Sequence, residues 1–387
     1  MDINRRDFLK TTAITAGILA LNPNQLLAEP VPLPDDVQKI PLPSWVEPKI
    51  QETFTRFKAW KGQDETVVFP IVTDIHSGLQ HFSNPVNYND PKIHILYAQR
   101  AANVFNADFM ADLGDNGMDR NTRWADVQME HGLNRLDANV KIYRGFPKPV
   151  LFCVGNHDLG NSIFHIPARK FGELFTGLMI KKGFKFTTGP NLDYGFYDVP
   201  QKPLRVFFLN SSETLPRVAY GFEKTQLQFL VRHLQDLPEG YATLILTHFC
   251  LHPTIGRWVP DTGRWQPQLI PTLRIILEDF KKCAKGEDQG LKWDFSHNQS
   301  NKIIGCISGD SHFDCEAVLN EITYVITQSY GTVSQKHLPK TPPTTYLPFS
   351  RTNEMLVDMV AIKLNRQEIK FFRIGIGGEQ RDRTFKY

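Results

Sequence analysis

Five times between Thr66 and His312 a short apolar run stops on a polar cluster. "TVVFPIVTDIH" ends on Asp74 and His76, "ADFMADLGDN" on Asp115, and "PVLFCVGNHD" on Asn156 and His157. "YATLILTHF" brings His248, and "KIIGCISGDSH" brings Asp310 and His312. Apolar runs of this length read as buried strands. "IHILYAQRAANVF" between the first two reads as a helix, so strand and helix alternate as in an α/β sheet. Loops at one edge of such a sheet converge, which makes these eight polar residues candidates for a single site.

The second half adds strands at "YGFYDVP", "LRVFFLNSSE", "EITYVITQS", "MLVDMVAIKLN" and "QEIKFFRIGI", and a helix around Leu269 to Lys282. "KTQLQFLVRHLQDL" places Leu227, Leu230, Leu234 and Leu237 at near-helical spacing, and these leucines are expected in the core. With 387 residues, 41% hydrophobic content and 27 Phe, the chain can bury a large core. The net charge of +3 comes from 44 basic and 41 acidic residues without a Lys/Arg block, so no nucleic-acid partner is expected. The five cysteines lack zinc-finger spacing. Cys153, Cys250 and Cys306 are expected in core packing, and Cys306 with Cys315 is the nearest candidate for a bridge.

Residues 1–28 read as an export signal. Arg5 and Arg6, then Phe8, Leu9 and Lys10, precede "TTAITAGILAL", a run too short to span a bilayer comfortably. The order resembles a bacterial twin-arginine signal, which implies the twin-arginine export machinery as partner, a periplasmic or otherwise exported location, and no transmembrane span in the mature chain. Six prolines from Pro30 to Pro48 make residues 29–50 a tether, and a single domain is expected over residues 51–387.

Carboxylates, imidazoles and one amide together suit divalent first-row metals. Two ions fit the set better than one, because a carboxylate such as Asp115 can bridge two cations that jointly act on a phosphoryl group. The ordered series "DIH", "GDN", "GNHD", "THF" and "GDSH" resembles the calcineurin-like metallophosphoesterase family, which includes the purple acid phosphatases and class III cyclic-nucleotide phosphodiesterases. The resemblance extends from about residue 65 to the end. It implies a four-layer α-β-β-α sandwich of two mixed β-sheets flanked by helices. It also implies hydrolysis of a small-molecule phosphoester by a hydroxide on a dinuclear centre of Mn, Fe, Mg or Zn. Asp74, His76 and His312 would hold one metal, Asp115 would bridge, and Asn156 and His248 would hold the other. His157 would act as general acid or as a donor to the phosphoryl charge. The alternative is a metal-binding or interaction scaffold on the same fold that has lost hydrolysis, although His157 and Asp115 are both present.

One residue departs from the family pattern. The last motif is normally Gly-His-x-His, and Asp310 stands where the first histidine would complete the second metal. The expectation is that Asp310 coordinates and makes that site harder, favouring Mn²⁺, Mg²⁺ or Fe over Zn²⁺. The aspartate that often orients the family's catalytic histidine is replaced by Met118, with Asp119 one residue further. Asp158 is either a helix cap or an orienting partner for His157. Asp314 stands either behind a metal-bound imidazole, the preferred reading, or at a polar strand start. Trp258 and Trp265 belong either to an aromatic rim or to loop packing, and "QKHLPKTPPTTYLPFS" reads as a long loop and potential lid.

Overall fold

Residues 42–76, 92–117, 129–160, 165–214, 217–218, 220–255, 269–327 and 356–387 are described in the computed structural model. All lie in the compact unit Pro41–Tyr387. The export signal, most of the tether, Met118, Asp119, both tryptophans of the expected rim and the potential lid lie outside the described residues.

Helix α1, Val46–Lys61, begins inside the stretch expected to be tether. Its Val46, Ile50, Thr53 and Phe57 recur at helical spacing and are buried, so the tether ends earlier than residue 50. Strand β1 (Val67–Val72), helix α2 (Lys92–Phe105), strand β2 (Met110–Asp112), helix α3 (Met129–Arg144) and strand β3 (Val150–Phe152) follow. Helices α4 (Ala168–Leu174) and α5 (Thr176–Lys181) lead to β4 (Thr187–Thr188), β5 (Gly195–Asp198) and β6 (Leu204–Leu209). Next come α6 (Lys224–Gln235), β7 (Ala242–Thr247), α7 (Ile270–Lys281) and β8 (Lys302–Ser308). The chain closes with β9 (Cys315–Leu319), β10 (Ile322–Ile326), β11 (Leu356–Lys363), β12 (Glu368–Gly375) and β13 (Arg383–Lys386).

These strands make a six-stranded sheet in the order β13-β12-β11-β1-β2-β3 and a seven-stranded sheet in the order β9-β10-β8-β7-β6-β5-β4. Both are mixed. In the first, β1, β2 and β3 are parallel and β11 runs antiparallel to β1. In the second, β6, β7, β8 and β10 are parallel, while β5 and β9 are antiparallel additions.

Alternation along the strands assigns the layers. Val67, Phe69 and Ile71 of β1 share one apolar cluster with Val206 and Phe208 of β6 and Leu244 and Leu246 of β7, so the sheets pack face to face. The alternate residues Phe207, Leu209 and Ile245 point the other way, into a cluster with Leu227, Leu230 and Leu234 of α6 and Leu273, Ile276 and Phe280 of α7. The leucines of α6 are therefore core, as expected. On the far side of the first sheet, Phe57 of α1 meets Phe372 of β12 and Phe105 of α2 with ring centroids 5.8 and 5.1 Å apart. The architecture is two mixed sheets with flanking helices, the expected sandwich.

All five cysteines are free. Strand β10 separates Cys306 on β8 from Cys315 on β9. Two strand spacings amount to roughly 9–10 Å, beyond disulfide reach, so the anticipated pair is not bridged. Among the described residues no helix is long and apolar enough to cross a membrane.

Candidate metal centre

The parallel strands β1, β2 and β3 of one sheet and β7 and β8 of the other deliver their C-terminal loops to one seam. Several hydrogen bonds cross it. The Asp310 N–H donates to Asp74 Oδ2 at 3.0 Å, and the Ser212 hydroxyl donates to the Val154 carbonyl at 2.7 Å. His248 Nδ1 lies 2.8 Å from the Leu113 carbonyl. A carbonyl only accepts, so Nδ1 carries a proton, and loss of the second proton would leave the Nε2 lone pair facing the seam.

The backbone at these loops is unusual. Asp74, His76, Asp115, Asp310 and His312 have φ of 53, 46, 60, 59 and 61°, the left-handed region that L-residues seldom occupy. Each such residue costs on the order of 1–3 kcal/mol and persists only where its surroundings hold it. Close approach explains one neighbouring glycine: a Cβ on Gly155 would stand 2.1 Å from Asp115 Oδ1.

The side chains converge in two groups. In the first, Asp74 Oδ1 lies 3.1 Å from His312 Nε2 and 3.9 Å from His76 Nε2. The two Nε2 atoms are themselves 3.4 Å apart. In the second, His248 Nε2 lies 3.3 Å from Asp115 Oδ2, 3.2 Å from Asn156 Oδ1 and 3.8 Å from Asp310 Oδ1. Asp115 Oδ2 is also 3.7 Å from His76 Nε2, so this carboxylate stands between the groups. The His157 ring packs edge-on against His76 with centroids 4.6 Å apart, and the backbone N–H of His157 donates to Asp115 Oδ1 at 2.8 Å.

All eight sequence-predicted residues are thus brought together, and all are buried. Burial raises the carboxylates of Asp74 and Asp115, but the imidazoles of His312 beside Asp74, and of His248 and His157 beside Asp115, hold both below the ordinary range. Conversely, Asp115 holds His248 well above the usual imidazole value despite burial, and Asp74 raises His312. Burial pushes Asp310 up to about 7 and, with His157 nearby, pushes His76 down to about 4. Burial also lowers His157.

These donors fit divalent cations. Atoms that share a cation at about 2.1 Å stand roughly 3–3.5 Å from one another, and the donors here are 3.1–3.9 Å apart in the first group and 3.2–3.8 Å from His248 Nε2 in the second. Asp74 Oδ1 makes no well-aligned hydrogen bond despite full burial and faces the imidazole Nε2 atoms, an arrangement a cation would satisfy. Asp74, His76 and His312 form one compact ligand set, and Asp74, Asp115 and His248 another.

Two expected roles differ in the structure. Asp158 neither caps a helix nor orients His157 through its carboxylate. Its oxygens accept the N–H groups of Asp115, Gly155 and Gly117 at 2.8, 2.9 and 2.8 Å and thereby tie two site loops together. Asp314 faces Arg373 instead of the imidazole of His312. Sequence reasoning missed Ser211 and Ser212. They follow β6 at the same sheet edge, and Ser211 Oγ accepts the Phe249 N–H at 3.0 Å, beside His248. The signal was present, since "LRVFFLNSSE" is another apolar run that ends on polar residues.

No family model matches the chain, and no curated protein matches it in sequence. Solved structures do match. A dimetal phosphatase from Danio rerio aligns over 83% of this chain and 99% of its own, with a TM-score of 0.52 and 13% identity. A purple acid phosphatase from yellow lupin (Lupinus luteus) seeds aligns over 84% of this chain and 54% of its own, with a TM-score of 0.45 and 13% identity. Phosphopantetheinyl hydrolase from Mycobacterium tuberculosis aligns over 68% and 89%, with a TM-score of 0.36 and 14% identity. The first of these shows that the chain shares the fold of a dimetal phosphatase.

The titration pattern sets the pH dependence of metal loading. His248 and His312, raised by their carboxylate neighbours, and Asp310, raised to about 7, hold protons near pH 6 that cations must displace. Affinity for Mn²⁺ should therefore rise with pH through 7, with about one or more protons released per chain at pH 6. Calorimetry in two buffers of different ionisation enthalpy measures this release, and a buffer-independent enthalpy would contradict it.

Proposed function

We propose that this chain is a metal-dependent phosphoester hydrolase. The observation that carries the reading is the Asp115 carboxylate, whose Oδ2 stands 3.7 Å from His76 Nε2 in one donor group and 3.3 Å from His248 Nε2 in the other. In this reading Asp74, His76 and His312 hold one cation, and Asn156, His248 and Asp310 hold the second. Two bound cations would supply a nucleophile near neutral pH and mask the negative charge that shields a phosphate ester from attack. Asp158 keeps the loops of Asp115 and Asn156 in fixed relation, which holds the two groups at one spacing.

His157 is the residue left to touch the substrate. Burial lowers its pKa, so its imidazole is neutral at pH 7 and suited to donate a hydrogen bond to a phosphoryl oxygen. That favours stabilisation of developing charge over delivery of a proton to the leaving group. Asp310 brings a carboxylate oxygen to 3.8 Å from His248 Nε2, where the family pattern would place an imidazole. A carboxylate there favours harder cations. The export reading of residues 1–28 is part of the proposal and rests on Arg5 and Arg6 ahead of the apolar run.

Purified chain loaded with Mn²⁺ should hydrolyse p-nitrophenyl phosphate or its bis ester, and His157→Ala should lower kcat by about 10²–10⁴ with metal content unchanged. A neutral donor predicts the same loss for good and poor leaving groups; a much larger loss with poor ones would identify a general acid instead. Inactivity of the wild type with every metal and ester would favour a scaffold. Asp310→His should shift the preference between Mn²⁺ and Zn²⁺ toward Zn²⁺ by about tenfold in affinity, and an unchanged ratio would remove Asp310 from the ligand set. Replacing Arg5 and Arg6 with lysine should retain the chain in the cytoplasm of a twin-arginine-competent bacterium, as fractionation would show.

A further inference from the structure

The loop that carries Asp310 and His312 leaves the metal centre through a buried ion cluster. Arg373 of β12 is fully buried, and its Nε donates to Asp358 Oδ1 at 2.7 Å. Its Nη2 donates to both oxygens of Asp314, at 2.8 and 3.0 Å, and to Asp358 Oδ2 at 3.1 Å. Arg383 of β13 adds contacts of 2.9 Å to Asp358 and 3.5 Å to Asp314, and Arg381 lies 3.5 Å from Asp314. Asp358 and Arg373 are directly opposed on neighbouring strands of the six-stranded sheet. Asp314, two residues beyond His312, comes from the other sheet, as do Thr327, whose hydroxyl donates to Asp358 Oδ2 at 2.5 Å, and Glu316, 3.9 Å from Arg383.

The His312 ring has no hydrogen-bond partner at Nδ1, so no side chain behind it sets its orientation. Its position depends on the backbone, which is left-handed at both Asp310 and His312 and needs outside support. Support at the loop's entrance is visible: the Gly309 N–H donates to the His248 carbonyl at 3.0 Å, and the Asp310 N–H donates to Asp74 at 3.0 Å. At the exit, the corresponding tie is the Asp314 carboxylate on Arg373. Asp358 already faces this guanidinium with two oxygens, so local pairing within the sheet does not account for the reach of Asp314 across the seam.

We propose that Arg373, acting through Asp314, is a positioning residue that fixes where His312 Nε2 stands relative to Asp74. The inference rests on the reading of His312 as a metal ligand. Arginine suits the task because its planar fork, Nε and Nη2, is held by Asp358 and so fixes Nη2 where Asp314 meets it, which lysine cannot do.

Cobalt(II) reports on both readings through its visible bands and through competition with a chelator, independently of turnover. Asp314→Asn keeps the shape of the side chain and leaves Arg373 paired with Asp358. It should fold with an unchanged far-ultraviolet spectrum, bind one Co²⁺ about tenfold or more weakly, and show altered Co²⁺ bands. Arg373→Lys should shift the same readouts in the same direction. A fall in urea midpoint with Co²⁺ affinity and bands unchanged would make the cluster purely structural and overturn the proposal. Failure of both variants to fold would also count against it. His312→Ala separates the two levels: if it binds Co²⁺ as the wild type does, the ligand assignment itself fails. If it loses one Co²⁺, that assignment stands and Asp314→Asn decides the inference.

Discussion

One hydrogen bond marks the constraint on which the site depends: the N–H of Asp310, from one sheet, reaches Asp74 Oδ2, from the other, at 3.0 Å. It exists only when the sheets are packed in their native register. Asp74 Oδ2 also accepts the hydroxyl of Thr73 at 2.7 Å, which leaves Oδ1 directed at the imidazoles. A Cβ on Gly309 would stand 2.0 Å from Thr73 Oγ1, so the absence of a side chain there is what lets the two loops close to this distance.

The seam works against the stability of the chain. Asp74, Asp115 and Asp310 are buried together, and five of the site residues hold left-handed backbone. Burying charge without full pairing is costly, and local rules are commonly broken where function requires it. The compensation lies a few residues away, in strands buried on both faces: β1, β6 and β7 each contribute inward residues to the inter-sheet cluster, and β6 and β7 contribute outward ones to the helix layer. The apolar layers hold the sheets together, and the polar groups are carried into proximity by that packing.

This division explains what was legible in the sequence. A buried strand and the polar residue at its end occupy one continuous stretch, so the five runs pointed to the fold and to eight polar residues that the structure brings together. Contacts between distant stretches left no such trace. The pairing of Asp314 with Arg373 spans 59 positions, and nothing local to "GDSHFD" points to an arginine on β12. Asp158 was visible as a carboxylate, but its three backbone partners depend on how the loops of β2 and β3 cross. Helix α1 was obscured by the prolines around it, because its apolar face spans Val46 to Phe57 and its first turn lies among them.

Neither donor group belongs to one sheet. Asp74 and His76 follow β1 while His312 follows β8, and Asp115 and Asn156 follow β2 and β3 while His248 follows β7. A chain with its sheets apart would offer a cation only part of either donor group, so in the proposed reading cation binding would be linked to packing of the sheets. Such a ligand adds RT ln(1 + [L]/Kd) to the stability of the packed state, about 2.7 kcal/mol at a hundredfold excess over Kd. That is comparable to the strain of one or two left-handed residues at the loops, on the order of 1–3 kcal/mol each. Cations held across the seam would offset a substantial share of what the seam costs to form.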